Sequence, residues 1–359
     1  MSILQKYILR EWTWTFLAVS FVLLIVILGA FLGNMFNDLA DGRMPPGLVG
    51  IQLLLFLPEA IGDILPLAGF IAVMWGLGRL YRDQEMAVMR ASGFNWQQLL
   101  RPLLNLILPV SALLLVVELV IVPASSAAAV AKLAEGFRNA TVWGLQAGQF
   151  HVLKNGKFVF YIEALEDEGR TLRNVFIHQR IGETEQVWFA KRGEYWVEPN
   201  TGERYLTLLD GQITETVSDQ LDVKLLSFSR NDLRLPVPDI RTKAVKIASR
   251  PSTDLIAEAN PAAWAELQWR FTPSLLILVL SFLAIPLSHS EPREGRGSRV
   301  VLGILTYALY SNTLYLCRAW VADGVLPAWL GLWWAHAIVL IVGVVWLRRQ
   351  GRMPRASRA

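Results

Sequence analysis

Cysteine is almost missing from this chain: Cys317 is the single one among 359 residues. That excludes an intrachain disulfide and any cysteine-based zinc site. Histidine is nearly as scarce, with His151, His178, His289 and His336 scattered through the chain. Neither H-E-x-x-H, G-x-S-x-G nor G-x-x-x-x-G-K-[ST] occurs, so the signatures of a zinc protease, a serine hydrolase and a nucleotide-phosphate cradle are all lacking. Nothing here argues for an enzyme acting alone. Charge is sparse as well, at 18% of residues against 53% hydrophobic, with a mean hydropathy of +0.39. Soluble domains carry about 25% charged residues, so a soluble globular protein is excluded.

What is abundant is long apolar sequence. Phe16 to Phe36, Leu53 to Leu77, Leu103 to Val122, Leu275 to Leu287, Val300 to Trp320 and Trp329 to Leu347 are stretches with hardly a charge near their middles. A membrane-spanning helix needs about 20 mainly apolar residues. Five stretches meet that directly, and the fourth does once Leu267 to Phe271 is added. The first is too long for the apolar core of a cleaved signal peptide. The chain is therefore expected to be an integral membrane protein with six spans.

Lys and Arg beside the spans set the orientation. With the N-terminus inside, Lys6, Arg10, Arg79, Arg82, Arg90 and Arg101, then Arg293 to Arg299 and the tail from Arg348 to Arg358, all fall on the cytoplasmic side, whereas the short outer loops hold only Arg43 and Arg318. Both termini are expected to be cytoplasmic. The long segment between Val122 and Thr272 falls outside and is close to neutral, so it has no electrostatic footprint for nucleic acid.

Within that segment the period changes from helical to alternating. Residues 157–163, 172–178, 186–190, 193–197, 204–209 and 223–228 read as strands, separated by turn clusters at Asn155-Gly156, Glu166 to Gly169, Gly182 to Glu185 and Pro199 to Gly202. Short strands at near-regular spacing predict an antiparallel sandwich or jelly roll. The expected fold is an integral membrane α-helical protein, six helices arranged 3 + 3, with an inserted antiparallel β-jellyroll domain. Its parts are residues 1–123 (three spans), 124–265 (the β domain and linkers) and 266–359 (three spans and a basic tail).

Ionisable residues inside spans often mark ion or proton paths. Glu59 and Asp63 share a helix face, but their helix is overlong and Glu59 falls near the outer boundary of the bilayer. Pro58, Pro66 and Pro109 are expected to bend their helices, either around a cavity or as tolerated irregularity.

The first cytoplasmic loop is more telling. Residues 79–92 have good helix formers, Gly93 suits a C-terminal cap and Asn95 an N-terminal one. Leu80, Val88 and Met89 are apolar in a segment otherwise rich in charge. Two readings stand side by side: a short helix that docks in a partner's groove, or a solvated hairpin between two spans.

The stretches Gly78-Arg-Leu-Tyr-Arg-Asp-Gln-Glu-Met-Ala-Val-Met-Arg-Ala-Ser-Gly93 and Leu326-Pro-Ala-Trp-Leu-Gly-Leu-Trp-Trp-Ala-His336, set in this span order, resemble the LptF/LptG family, the permease subunits of the bacterial lipopolysaccharide exporter. Both resemble the LptF branch more than the LptG branch. The lysine-free Phe31-Leu-Gly-Asn-Met-Phe36 agrees, because LptG-type sequences carry a lysine in that region. The resemblance implies a coupling helix at about 79–92. In it Glu85, with Arg82, Asp83, Met86, Met89 and Arg90 beside it, faces a cytoplasmic ATPase dimer of the LptB type.

It further implies an LptG-like second permease, periplasmic jellyroll partners of the LptC and LptA type, and a Gram-negative inner-membrane location. The cargo is lipopolysaccharide drawn from membrane lipid, with no nucleic acid involved. ATP and Mg are held by the partner ATPase, and no cofactor by this chain. Lateral gates between the first span of one subunit and the fifth of the other put the lipid path on Leu28, Phe31, Leu32 and Met35 and on Leu305, Leu309 and Tyr310. Thr306, Tyr307, Ser311, Asn312 and Tyr315 make the fifth span unusually polar; these side chains either line the path or glue helices together. An ion-coupled lipid transporter and a membrane-anchored scaffold are the competing classes.

Overall fold

The structure is a computed structural model that describes residues 2–40, 44, 46–139, 147–153, 158–166, 171–181, 184–197, 204–217, 223–234, 247–258, 260–289 and 298–351. The chain divides into two compact units. One is helical and comprises residues 1–30, 53–128 and 243–359; the other comprises residues 31–52 and 129–242 and contains the sheet.

The helices, in chain order, are α1 (Ile3–Ala40), α2 (Val49–Arg82), α3 (Glu85–Ala91), α4 (Trp96–Val116), α5 (Val122–Asn139), α6 (Ser252–Glu258), α7 (Pro261–Leu287), α8 (Ser298–Ala322) and α9 (Trp333–Gly351). Four segments among the described residues are long and apolar enough to cross a membrane: α1, α2, the run Trp96–Gly136 and α7. Helices α8 and α9, of 25 and 19 residues, span about 37 and 28 Å at 1.5 Å per residue.

Several boundaries differ from the sequence expectation. The third helix does not stop at Val122, since a π-helical turn over Val117–Ile121 joins α4 to α5. The cause is local. Pro123 has no N–H to offer the Leu119 carbonyl four residues back, and that oxygen instead accepts from the Ser252 hydroxyl at 2.7 Å. The last span starts at Trp333 rather than Trp329. Residues 327–332 form turns held by Gln268, whose Nε2 donates to the Ala328 carbonyl at 2.6 Å and whose Oε1 accepts from Leu332 N–H at 3.0 Å. Gly331 sits there at φ +45°, where a Cβ would fall on the Gln268 amide. The expected caps are in place, with Gly93 at φ +89° and Asn95 accepting from Gln98 N–H at 3.2 Å.

The core of the helical unit centres on α7, which packs against α4, α8 and α9. Its buried small residues Ala263, Ala265, Ser274, Ser281 and Ala284 let neighbouring backbones come close.

The sheet is antiparallel with six strands, β1 (Phe150–Leu153), β2 (Phe158–Glu166), β3 (Thr171–Ile181), β4 (Thr184–Val197), β5 (Arg204–Val217) and β6 (Val223–Arg234), in the order β1-β2-β3-β4-β5-β6. The antiparallel β domain is as expected. Among the described strands, however, the order is a plain meander without the crossovers of a jelly roll, and residues 186–190 and 193–197 are halves of one strand.

A single sheet still forms its own core because its strands share a fault line. Asn174, Lys191 and Asp210 are passed over in the cross-strand pairing on both sides, and Asn174 and Asp210 have left-handed φ of 47° and 52°. Asn and Asp tolerate that region better than other side chains. The inward face slips by one residue across the line: Leu172 then Val175 on β3, and Leu208 then Gly211 on β5. Phe160, Ile162, Leu172, Val175, Ile177, Ala190, Leu206 and Leu208 are buried together.

Candidate functional site

Helix α2 ends at Arg82, and Gln84, at φ 58°, turns the chain into α3. The expected helix over 79–92 is thus the end of α2 followed by a seven-residue helix that begins on Glu85. A carboxylate at a helix N-terminus is favourably placed against the helix dipole. Glu85 is held from inside the chain as well. Arg79 donates through Nη1 to Glu11 Oε1 at 2.8 Å and through Nη2 to the Tyr7 hydroxyl at 2.7 Å, and that hydroxyl donates to Glu85 Oε2 at 3.0 Å. Arg79 Nη2 also lies 4.0 Å from Glu85 Oε1, and Asp83 lies 3.8 Å from Arg79 Nε.

Of the other expected coupling residues, Met86 and Met89 are buried in the chain's own core. With a heptapeptide helix there is only one inward face, and they occupy it; they anchor α3 instead of facing outward. Leu80 is buried too. The apolar side chain that α3 presents outward is Val88, 70% exposed. Arg90 is exposed, donates to the Tyr81 hydroxyl at 2.8 Å and lies over that ring at 5.4 Å. Arg82 and Asp83 are exposed. Beside α3 opens a cleft of about 220 Å³ lined by Tyr81, Met86, Arg90, Phe94, Trp96 and Ile285.

The expected lipid path is split. Leu305 and Leu309 are exposed, the latter 73%, and Leu28, Phe31 and Leu32 are partly exposed, while Met35 is buried. Tyr310 does not belong with them. It is buried, and its hydroxyl meets His336 Nδ1 at 2.5 Å, joining α8 to α9. The polar residues around it are satisfied within α8: Thr306 donates to the Leu302 carbonyl at 2.8 Å, and Asn312 and Ser311 donate to the Ala308 carbonyl at 2.8 and 3.2 Å. Tyr307 packs against the core, while Tyr315, 53% exposed, lies beside Trp269 with ring centroids 4.7 Å apart.

Sequence reasoning missed a second ionic cluster. Arg270, 1% exposed, donates to Glu266 at 3.3 Å, to the Ser252 hydroxyl at 2.7 Å and to the carbonyls of Ala248 and Arg250 at 3.1 and 2.9 Å. The other oxygen of Glu266 accepts from Arg318 at 2.6 Å, and Arg318 stacks over Trp269 at 4.6 Å. Glu118 on the π turn is buried where Gly62 leaves room for its carboxyl. Glu59 and Asp63 lie on the exposed face of α2 nearby. The readable signal was the i,i+4 pair Glu266 and Arg270 just before an apolar run.

The family described as lipopolysaccharide export system permease LptF/LptG matches residues 6–349. The chain belongs to the LptF/LptG family. It is also similar to the lipopolysaccharide export system permease protein LptF of Escherichia coli K12, at 27% identity over 346 residues covering 96% of this chain and 94% of that one, and to the same extent to LptF of Shigella flexneri. The resemblance read from residues 78–93 and 326–336 is therefore correct at the level of the family.

Proposed function

We propose that this chain is the LptF-type permease subunit of an ATP-driven exporter that lifts lipopolysaccharide from the outer leaflet of the inner membrane. All six apolar helices cross the membrane in this reading, with both termini cytoplasmic, as the placement of Lys and Arg supports. An LptG-like subunit completes the lipid cavity. An LptB-like ATPase dimer docks at α3 and hydrolyses ATP with Mg, so the chemistry is supplied in trans.

The observation that carries the reading is the surface of α1. Only 6% of its most apolar stretch is buried within the chain, and α8 presents Val301, Ile304, Leu305 and Leu309 outward in the same way. Burying each methylene of an acyl chain is worth about 0.8 kcal/mol, so a lipid leaves the bilayer only into an apolar cavity, and such faces supply its walls. The sheet then receives the lipid and hands it on: β6 is an edge strand with Val223, Leu225 and Leu226 exposed, suited to pairing with a strand of an LptC-like protein.

Photo-crosslinkers at Leu28, Leu32, Leu305 and Leu309 are expected to trap lipopolysaccharide in living cells, with a yield that depends on ATP turnover. Capture on α9 alone, with those four positions clean, would place the gate elsewhere. Glu85→Lys is expected to weaken assembly with the ATPase by like-charge repulsion; unchanged co-purification and transport would remove Glu85 from the interface.

A further inference from the structure

Glu85 has a second role that its hydrogen bonds make visible. If its carboxylate served only a partner, it would need no bond within the chain. It accepts one from Tyr7, on α1, and Tyr7 is in turn held by Arg79, on α2, which is anchored back onto Glu11 of α1. The donors run in one direction: guanidinium to both Glu11 and the Tyr7 hydroxyl, then hydroxyl to Glu85. Three helices meet in four side chains.

The placement is what gives the cluster mechanical meaning. Glu85 is the first residue of α3, next to the left-handed turn at Gln84 where the chain changes direction from α2. Its buried Met86 and Met89 resist translation but carry no directional contact. Arg90 ties α3 to α2 through the Tyr81 hydroxyl, and the Tyr7 hydroxyl ties it to α1, whose own apolar stretch is hardly buried in this chain. At 39% side-chain exposure, Glu85 remains open to a cation from outside.

We infer that Tyr7, Arg79 and Glu11 form a latch that makes α1 move with α3, so that a partner's displacement of Glu85 is delivered to the helix whose exposed face is offered to lipid. These are positioning residues for coupling, and the inference rests on the reading of α3 as the ATPase-docking helix. Tyr7→Phe removes one hydroxyl and keeps the ring, so the fold is not at stake.

The test uses the full complex with its ATPase in proteoliposomes, reading co-purification, ATP hydrolysis and lipopolysaccharide released per ATP consumed. For Tyr7→Phe, co-purification is expected to be unchanged and hydrolysis retained, with release per ATP falling about tenfold, the worth of one hydrogen bond to a charged group. The double variant Tyr7→Phe/Glu85→Ala is expected to fall no further than the lower of its two single variants, because both remove the same bond. An unchanged ratio in Tyr7→Phe, a further additive loss in the double variant, or loss of co-purification in Tyr7→Phe each overturns the latch. Failure of the docking reading shows separately, as full co-purification and transport in Glu85→Lys.

Discussion

Helices α1 and α7 are both long and apolar, yet 6% of the most apolar stretch of α1 is buried within the chain against 78% for α7. Composition separates them on a point that hydropathy ignores. The α1 run Phe21 to Leu28 is built of Phe, Leu, Val and Ile alone, while α7 interleaves Ala and Ser with its Leu and Ile. In lipid no hydrophobic force draws helices together, so close packing depends on small residues and polar contacts. Apolar character therefore reports the surrounding solvent, and small residues report the neighbour. A helix with so little of its apolar stretch buried within its own chain leaves lipid or another subunit to cover the rest.

The sharpest break in the comparison comes at Arg270. Arg270→Met leaves Glu266 with Arg318 as its one cationic partner named above, takes the guanidinium from the Ser252 hydroxyl and the Ala248 and Arg250 carbonyls, and is expected to cost about 3–5 kcal/mol, read as loss of monodisperse protein in detergent. Pairing it with Glu266→Leu is expected to restore part of the yield, since both charges are then gone.

Next, Leu280→Ala in α7, fully buried, is expected to cost about 2–5 kcal/mol for the cavity it leaves. Val26→Ala in α1, 62% exposed, is expected to change stability by less than about 0.5 kcal/mol. Thermal unfolding of the detergent-solubilised chain measures both, and equal losses would make α1 as tightly packed as α7.

A smaller effect belongs to Tyr310→Phe, which leaves His336 Nδ1 without its hydroxyl partner. About 1–3 kcal/mol is expected, because a buried polar group loses its bond. An unchanged melting temperature would release Tyr310 from its role between α8 and α9.

The smallest lies in the sheet unit. Asp232 is held below the usual carboxylate range, first by the hydrogen bond from Thr207 and then by Arg230. A depressed carboxyl stabilises the folded state above its unfolded value of about 3.9 and loses that contribution as pH falls through the lower folded value. The fluorescence of Trp196, whose Nε1 donates to the Thr207 hydroxyl at 3.0 Å, is expected to report an acid transition below about pH 4 that Asp232→Asn removes. An identical acid transition in that variant would clear Asp232.

Much of the local structure around α3 was legible in the amino-acid sequence. The caps at Gly93 and Asn95 are local, whereas Glu85 was singled out by the family resemblance alone. Its intrachain partners were not legible, because Tyr7 and Arg79 are 72 residues apart in the chain and nothing in either segment names the other. Met86 and Met89 failed as outward contacts for a related reason: in a seven-residue helix, periodicity is too short to tell which face turns inward. Tyr310 failed because a tyrosine in a span reads equally as lining a path or bonding a neighbour, and only His336 decides it.

The sequence by itself determined that the chain lives in a membrane, where its strands lie and where its short loops fold, since apolar length, alternation and caps act within about 20 residues. Only the tertiary structure decided that α7 is core and α1 is surface, that Arg270 clasps the segment returning from the sheet, and that one six-stranded sheet bends across Asn174, Lys191 and Asp210 to make a core of its own. Those outcomes depend on which surfaces meet. Burial, ion pairing and a slip in strand phase become definite only when residues distant in the chain share the same few cubic ångströms.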